Sequence, residues 1–249
     1  MKRLSKFKLT ALSLTAVMLI GGGQSTFAHT RFDVSAQTEG VRNINHIVIS
    51  HSCNENSRTI GTSVVFPDGV DSTILVDGQP SSGQLLDFLT NYGNNVQLLM
   101  DRSAFDSMEE KIVGGNVVGF WAGGGPGMPN NLNVATPVRH TAAGIEPTSC
   151  AASVAIKVSI ADICEITSVG GFNDDVVRLW THNDLGTSFD RVSETDDGPA
   201  TFTIARDLIN NPLPESCGNG VAVEVKPSAA QINRDMPISV NGQQVWPAN

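Results

Sequence analysis

Residues 153–161 read SVAIKVSIA, and this stretch decides the fold class. Val154, Ile156, Val158 and Ile160 alternate with residues that include Ser153, Lys157 and Ser159. A period of two is typical of a β-strand that buries one face and turns the other toward solvent. GVAVEVKP at 220–227 repeats the pattern. The sequence therefore predicts strands in these two segments.

Short segments of the same kind recur along the chain, each bounded by Gly, Pro, Asn or Asp. Further predicted strands are TSVVFPDG (62–69), STILVDGQ (72–79), NVQLLM (95–100), NVVGFWAGG (116–124), DVVRLWTH (175–182) and ATFTIARD (200–207). VGGN at 113–116 predicts a hairpin turn, and GQLLDFLTNYG at 83–93 spaces Leu85, Leu86 and Leu89 as a helix would. Together these segments predict an all-β fold, an immunoglobulin- or cupredoxin-like β-sandwich with one or two short helices.

The first 28 residues have the pattern of a secretory signal peptide. A basic start, MKRLSKFK, precedes the apolar run LTALSLTAVMLIGGG and then Thr26, Phe27 and Ala28. The run is interrupted by Ser and Thr and is short of the ~20 residues that a membrane span needs. We therefore expect cleavage after Ala28 rather than an uncleaved anchor, and no membrane span in the remaining chain. Residues 29–249 would form a single β-sandwich domain, with an appended β lobe from about residue 150 left open.

The expected mature chain is strongly acidic. Four of the 16 basic residues and none of the 25 acidic residues lie in the first 28, which leaves 12 against 25 and a formal charge of −13. An acidic chain without a basic cluster argues against nucleic acid and anionic membranes as partners.

The chain has four cysteines, Cys53, Cys150, Cys164 and Cys217, and no CxxC motif. In an oxidising compartment this even number predicts two disulfides rather than a zinc or thioredoxin site. The favoured pairing is Cys150 with Cys164 and Cys53 with Cys217, although the sequence leaves three connectivities open.

Histidine placement points to a metal site. Cleavage after Ala28 would give His29 both an α-amine and an imidazole, a nitrogen pair that can chelate copper with a third nitrogen from elsewhere. In NHIVISH, alternation places His51 with Ile47 and Ile49 on the buried side and His46 on the opposite face. A frayed chain end is the alternative fate of His29. Motifs for serine hydrolases, zincins, P-loops and dinucleotide binding are absent from the sequence.

These residues resemble the YcnI-like periplasmic copper-binding domains. The resemblance runs from His29 through Gly40 and the HSC of 51–53 to VVFPDGV (64–70) and FWAGGGPGMP (120–129), and it spans roughly residues 29–140. It implies a copper site made by the N-terminal histidine, a corner side chain and a nearby tryptophan. The matching residues are His29, His51 or its neighbours Asn54 and Glu55, and Trp121. This chain departs from the family because HSCNE stands where a corner carboxylate is usual, so the resemblance gives His51 that place.

A second resemblance is to the MopE- and CorA-type surface copper-binding proteins of methane-oxidising bacteria. Those proteins hold Cu(I) with two histidines and an oxidised tryptophan, and they carry a Trp-x-His pattern. WTH here supplies Trp180 and His182, which we expect on the same strand face. The resemblance adds both residues as further candidates for the site.

Taken together, the sequence predicts a secreted or periplasmic protein that binds Cu(I) or Cu(II) in copper acquisition, storage or delivery. Its expected partners are the copper ion and a copper-delivery or uptake protein, and no enzymatic activity is expected. Two alternatives stay open. One is a copper-dependent secreted oxidase, and the other is a metal-free structural or adhesive β-sandwich.

Overall fold

The computed structural model describes residues 29–93, 95–191 and 198–249. The signal-peptide prediction for residues 1–28 lies outside the described residues. Within the described ranges, no helix is long and apolar enough to cross a membrane.

The described chain consists mostly of strands. The strands are β1 (Arg31–Phe32), β2 (Ala36–Thr38), β3 (Asn43–Ile49), β4 (Arg58–Val65), β5 (Thr73–Val76), β6 (Gln79–Pro80), β7 (Leu89–Thr90), β8 (Val96–Leu98), β9 (Ser107–Val113), β10 (Asn116–Pro129), β11 (Val134–His140), β12 (Gly144–Ile145), β13 (Ala151–Ile163), β14 (Val177–Trp180), β15 (Ala200–Ala205), β16 (Val221–Lys226), β17 (Ile238–Val240) and β18 (Gln243–Trp246). The helix α1 spans Ala229–Asp235, and short 3-10 turns occupy Leu85–Asp87, Val169–Gly171 and Glu215–Cys217.

Two sheets form the body of the protein. One has the order β1-β3-β11-β8, and the larger one runs β6-β5-β16-β13-β4-β10-β9, with β14, β15 and β2 attached beside β13. The 13-residue strand β13 changes neighbours along its length. Its first half pairs with β15 and β16, and its second half pairs with β14 and β4. Strands from both sides of residue 150 therefore share one sheet.

The main hydrophobic core lies between the two sheets. Alternate residues of β13 from Val154 to Ile160 are 0% exposed and pack with Ile47 of β3 and Val138 of β11. Each such side chain contributes about 1.5–3 kcal/mol on burial. The structure confirms the all-β sandwich, the strands in 153–161 and 220–227, and the hairpin turn between β9 and β10.

A second core covers the opposite face of β13. Ala161 of β13 contacts a cluster that includes Ile232 and Met236 from the α1 segment and Trp246 from β18. Helix α1 begins after Ser228, whose side chain accepts a hydrogen bond from the Gln231 backbone amide at 3.1 Å. The C-terminal segment thus closes the side of the large sheet that faces away from the smaller sheet.

The helix predicted at 83–93 is wrong. A single 3-10 turn, Leu85–Asp87, is followed by β7, which pairs with β12. Leu85 and Leu89 are buried whereas Leu86 is 69% exposed, so the three leucines do not share a buried face. The short helix α1 lies where the sequence analysis predicted no element.

The predicted disulfide pairing is also wrong. The bonds are Cys53–Cys164 and Cys150–Cys217, with Cα–Cα distances of 6.1 and 5.2 Å. Cys150 and Cys164 flank β13, whose 13 extended residues span about 40 Å at roughly 3.3 Å each. A disulfide requires Cα atoms within about 7 Å, so the strand itself forbids the pairing of its two flanking cysteines.

Candidate metal centre

Two of the predicted ligands meet at one tryptophan. The imidazole of His29 lies edge-on to the indole of Trp180, with ring centroids 5.1 Å apart, and the His51 ring lies 6.3 Å from the same indole. Both histidines are half-buried, and Trp180 is 6% exposed. The structure therefore places both imidazoles against the Trp180 indole.

The strand register explains why His29 lies next to the segment that carries His51. β1 pairs antiparallel with β3 so that Arg31 lies opposite Val48, and continuing the register places His29 beside Ser50. The Ser50 hydroxyl donates to the His29 carbonyl at 3.2 Å. His51 follows Ser50 beyond the end of β3 and is half-buried.

A buried carboxylate lies beneath the tryptophan. Asp162 of β13 is 1% exposed and accepts hydrogen bonds from the Thr30 hydroxyl, from the Thr62 hydroxyl at 2.9 Å and from the Trp180 indole N–H at 2.8 Å. Burial raises the pKa of Asp162, while these three donors and the charge of His51 act to lower it. Asp162 thus links the segment after His29 to the indole that both histidines contact.

The His51 ring has a fixed tautomer in its neutral form. Its Nδ1 lies 2.6 Å from the Ser52 carbonyl oxygen, and because a carbonyl can only accept, Nδ1 carries the hydrogen. The lone pair of the neutral ring is then on Nε2. Imidazoles that bind metals are commonly oriented by such a hydrogen bond on the other nitrogen.

A disulfide ties the two sides of this site together. Cys53 follows His51 by two residues, Cys164 follows Asp162 by two, and the two are bonded to each other. The Cys53 amide also donates to the Cys164 sulfur at 3.1 Å, and Arg178 donates to the Cys53 carbonyl at 2.7 Å. The corner that carries His51 is therefore covalently fixed to the strand that carries Asp162.

Trp121, the tryptophan favoured from the sequence, lies elsewhere. It pairs across β10 and β4 with Ser63, which in turn pairs with Ala161. Trp121 and Ala161 belong to the second core, whereas Asp162 faces Trp180. Successive strand residues point to opposite faces, so the sheet separates Trp121 from His29 and His51. Trp180 takes its place beside the histidines.

The remaining candidates are not part of this group. His182 lies beyond the end of β14, not on a strand face shared with Trp180, and its electrostatic neighbours are Lys226, Asp184, Glu224 and Lys157. Burial lowers the pKa of His182 to about 4. Glu55 is exposed in the loop between β3 and β4, and Asn54 beside it hydrogen-bonds Asp175.

Sequence reasoning missed Asp162, although the sequence contained a signal. The alternation that places Val154 to Ile160 toward the core continues to Asp162. A carboxylate on the buried face of a strand must be hydrogen-bonded or paired with a charge. Its position therefore indicated a polar cluster at the end of β13.

Comparisons with known proteins leave the family open. No family model matches the chain, and no curated protein matches it. An uncharacterised protein from Nocardia farcinica with an immunoglobulin-like fold is similar at 15% identity and a TM-score of 0.34, over 72% of this chain and 99% of that one. The major pilin SpaA of Corynebacterium diphtheriae is similar at 10% identity and a TM-score of 0.28, over 61% of this chain and 36% of the pilin. Scores this low carry no argument about function.

Proposed function

We propose that this is an exported copper-binding protein that holds the metal with His29 and His51 beside Trp180. Its role would be acquisition, storage or delivery of copper, in the periplasm or outside the cell, with a copper-delivery or uptake protein as partner. Two disulfides fit an oxidising compartment. The single observation that carries the proposal is the convergence of two histidines, distant in sequence, on one indole.

The donor chemistry fits copper. Imidazole and amine nitrogens suit Cu(II) and other late first-row metals, and the His51 tautomer leaves Nε2 as the metal-binding nitrogen of the neutral ring. Within residues 29–93, 95–191 and 198–249, no three His, Cys, Asp or Glu side chains form a metal-binding group. The proposed set has two imidazoles, and its third nitrogen is the α-amine that cleavage after Ala28 would create.

The chain's own residues would order these donors. The Ser50 hydroxyl holds the His29 carbonyl, the Ser52 carbonyl holds the His51 ring, and Asp162 holds the Trp180 indole. Bound copper would supply strong nitrogen coordination and a one-electron redox couple. The protein would bind this ion and release it to a partner, without turnover of an organic substrate.

The decisive experiment compares chains that differ at the first residue. A chain that starts at His29 is expected to bind one Cu(II) per molecule, measured by competition with a chelator and by metal analysis. A chain with Gly-Ser placed before His29 keeps every side chain and loses the free histidine amine, so it should bind at least ~10-fold more weakly. Equal affinity of the two chains would refute the terminal-amine site.

Side-chain variants complete the test. H51A is expected to weaken copper binding by more than ~10-fold, whereas H46A, on the opposite face of β3 and beside Asp33, should match the parent. Equal losses in both variants would indicate non-specific surface binding. Hydrogen peroxide production by the copper-loaded chain in the presence of a reductant would favour an oxidase, and absence of copper binding would favour the structural or adhesive alternative.

A further inference from the structure

A cavity of about 230 Å³ lies in the second core, on the face of the large sheet that points away from the proposed copper ligands. Ile163 of β13 and Ile238 and Trp246 of the β17–β18 hairpin line this cavity and are buried. Ile166 and Val245 also line it but are exposed, so they mark the side that is open to solvent. The cavity therefore has a buried base and an accessible mouth.

The wall of this cavity is apolar and uncharged. Among the described residues that line it, Ser107 carries the only hydroxyl, and the others are Ile, Val, Trp or Gly. A bound water needs roughly two to four polar partners, and an ion in apolar surroundings is costly without a compensating charge. The cavity is therefore better suited to an uncharged, largely apolar molecule than to water or an ion.

Trp246 adds one polar group to this wall. Its side chain is 0% exposed and packs against two phenyl rings, stacked on Phe172 at a centroid distance of 5.4 Å and tilted against Phe189 at 5.7 Å. The indole Nε1 has no hydrogen-bond partner among the described residues. Buried indole N–H groups usually have one, and the phenyl rings offer no acceptor oxygen. Trp246 therefore borders the cavity with an unused hydrogen-bond donor.

We propose that this cavity is a second binding site, for a small uncharged molecule made mostly of hydrocarbon with one carbonyl oxygen that accepts a hydrogen bond from the Trp246 indole. The size is sufficient, because an apolar cavity of ~150 Å³ can hold benzene and this one measures about 230 Å³. The hydrocarbon part would pack on Ile163 and Ile238, and the carbonyl would give the buried N–H its partner. A ketone with a single six-membered ring meets these requirements.

The test uses two probes of nearly the same shape, cyclohexanone and methylenecyclohexane, of which only the ketone has an acceptor. NMR titration of the folded chain with both disulfides formed follows the indole N–H signals of the three tryptophans. W121F and W180F identify the Trp246 signal, because each removes one of the other two. Both probes are expected to bind, and only cyclohexanone should move the Trp246 indole proton to lower field.

Two kinds of variant separate the hydrogen bond from the cavity. W246F removes the donor, so it should weaken cyclohexanone binding about 3–10-fold more than methylenecyclohexane binding. V245W places a larger side chain at the mouth and should weaken the binding of both probes by the same factor. I209W is its matched control, because Ile209 is exposed and does not line the cavity, and both dissociation constants should stay unchanged.

The outcomes decide the proposal without reference to copper. Binding of neither probe would overturn it, and water would then be the partner of the Trp246 N–H. An indole proton that cyclohexanone leaves in place would also overturn it, as would an unchanged ratio of the two dissociation constants in W246F. If W246F does not fold, the shift of the Trp246 proton in the parent chain still tests the hydrogen bond, and V245W against I209W still tests the cavity.

Discussion

The sheet that contains β13 carries a buried tryptophan on each face, and the two have different surroundings. Trp180 donates its N–H to Asp162 and contacts two histidines. Trp121, on the other face, packs in an apolar cluster and lines a cavity of about 230 Å³ with Ile163 and Trp246. Both are almost fully buried, at 6% and 8% exposure. Burial alone therefore does not distinguish the two tryptophans, whereas the polar groups around them do.

The difference arises from a single step along β13. Ala161 faces the cluster of Trp121, and Asp162 faces Trp180. Because side chains alternate between faces, a shift of one residue moves a side chain from one environment to the other. The following contrasts test whether the Trp180 face alone forms the site.

The largest expected effect comes from the disulfides. Removing either bond, as C53A/C164A or C150A/C217A, should lower the free energy of unfolding by roughly 4–5 kcal/mol, since the bonds close segments of 111 and 67 residues. Urea unfolding measures this loss. Copper affinity should fall only in C53A/C164A, because that bond fixes the corner of His51. Equal copper affinities in the two folded double variants would contradict this prediction.

The pH dependence of stability should report on His140, a buried histidine outside the site. His140 is 0% exposed and stacks on Phe202 at 3.9 Å, and neither ring nitrogen has a hydrogen-bond partner among the described side chains and backbone. Burial lowers its pKa from 6.5 to about 4, although the Asn95 backbone acts to raise it.

The sign of the effect follows from proton uptake. Between pH 6.5 and about 4 the unfolded chain protonates this imidazole and the folded chain does not. The free energy of unfolding therefore falls as the pH falls, by roughly 3 kcal/mol in total, and this stability is fully present above pH 6.5. H140F lacks this imidazole, so its free energy of unfolding should fall less steeply with falling pH than that of the parent. Urea titrations at pH 7, 5.5 and 4.5 measure the difference. An unchanged pH slope in H140F would contradict the assignment.

Conservative replacement of each tryptophan gives a smaller effect. W180F removes the N–H donor to Asp162 and should cost about 1–3 kcal/mol of unfolding free energy. W121F alters an apolar cluster and should cost less than about 1.5 kcal/mol. Copper should quench the fluorescence of the parent and of W121F, with a much weaker effect in W180F. Stronger quenching in W180F would place the metal on the wrong face.

The smallest stability change is expected at the histidines themselves. In the copper-free chain, H51A and H46A should each change the free energy of unfolding by about 0.5 kcal/mol or less, since both side chains are partly exposed. Copper at 100 times its dissociation constant should stabilise the parent and H46A by about 2.7 kcal/mol. Thermal unfolding of H51A with the same copper concentration should show no comparable rise.

The sequence predicted the fold class because period-two alternation is a local property. Within β3 it also predicted that His46 lies on the face opposite to Ile47 and Ile49, which the burial pattern of β3 confirms. The helix at 83–93 failed because three leucines in eleven residues fit more than one local structure. The short helix α1 has few core positions, Ile232 among them, and so gives little periodic signal.

The arrangement of the site was harder to predict because it depends on strand order. Trp121 and Trp180 both lie within predicted strands, and their relative faces follow from the pairing of β4 with β10 and β13. The prediction of the disulfide pairing failed for a related reason, because β13 separates Cys150 from Cys164. The copper ligands stay a prediction, and Asp162 could have been included from its alternation with Ile160.

The Cys53–Cys164 bond has a consequence for when the site becomes complete. In the cytosol both thiols would stay reduced, and the corner of His51 would have no covalent link to β13. In the proposed exported chain, oxidation would lock the corner, and the proposed cleavage after Ala28 would expose the α-amine of His29. Two independent events of secretion would then act together as a checkpoint on metal loading. Newly made chains inside the cell would leave cytosolic copper to other proteins.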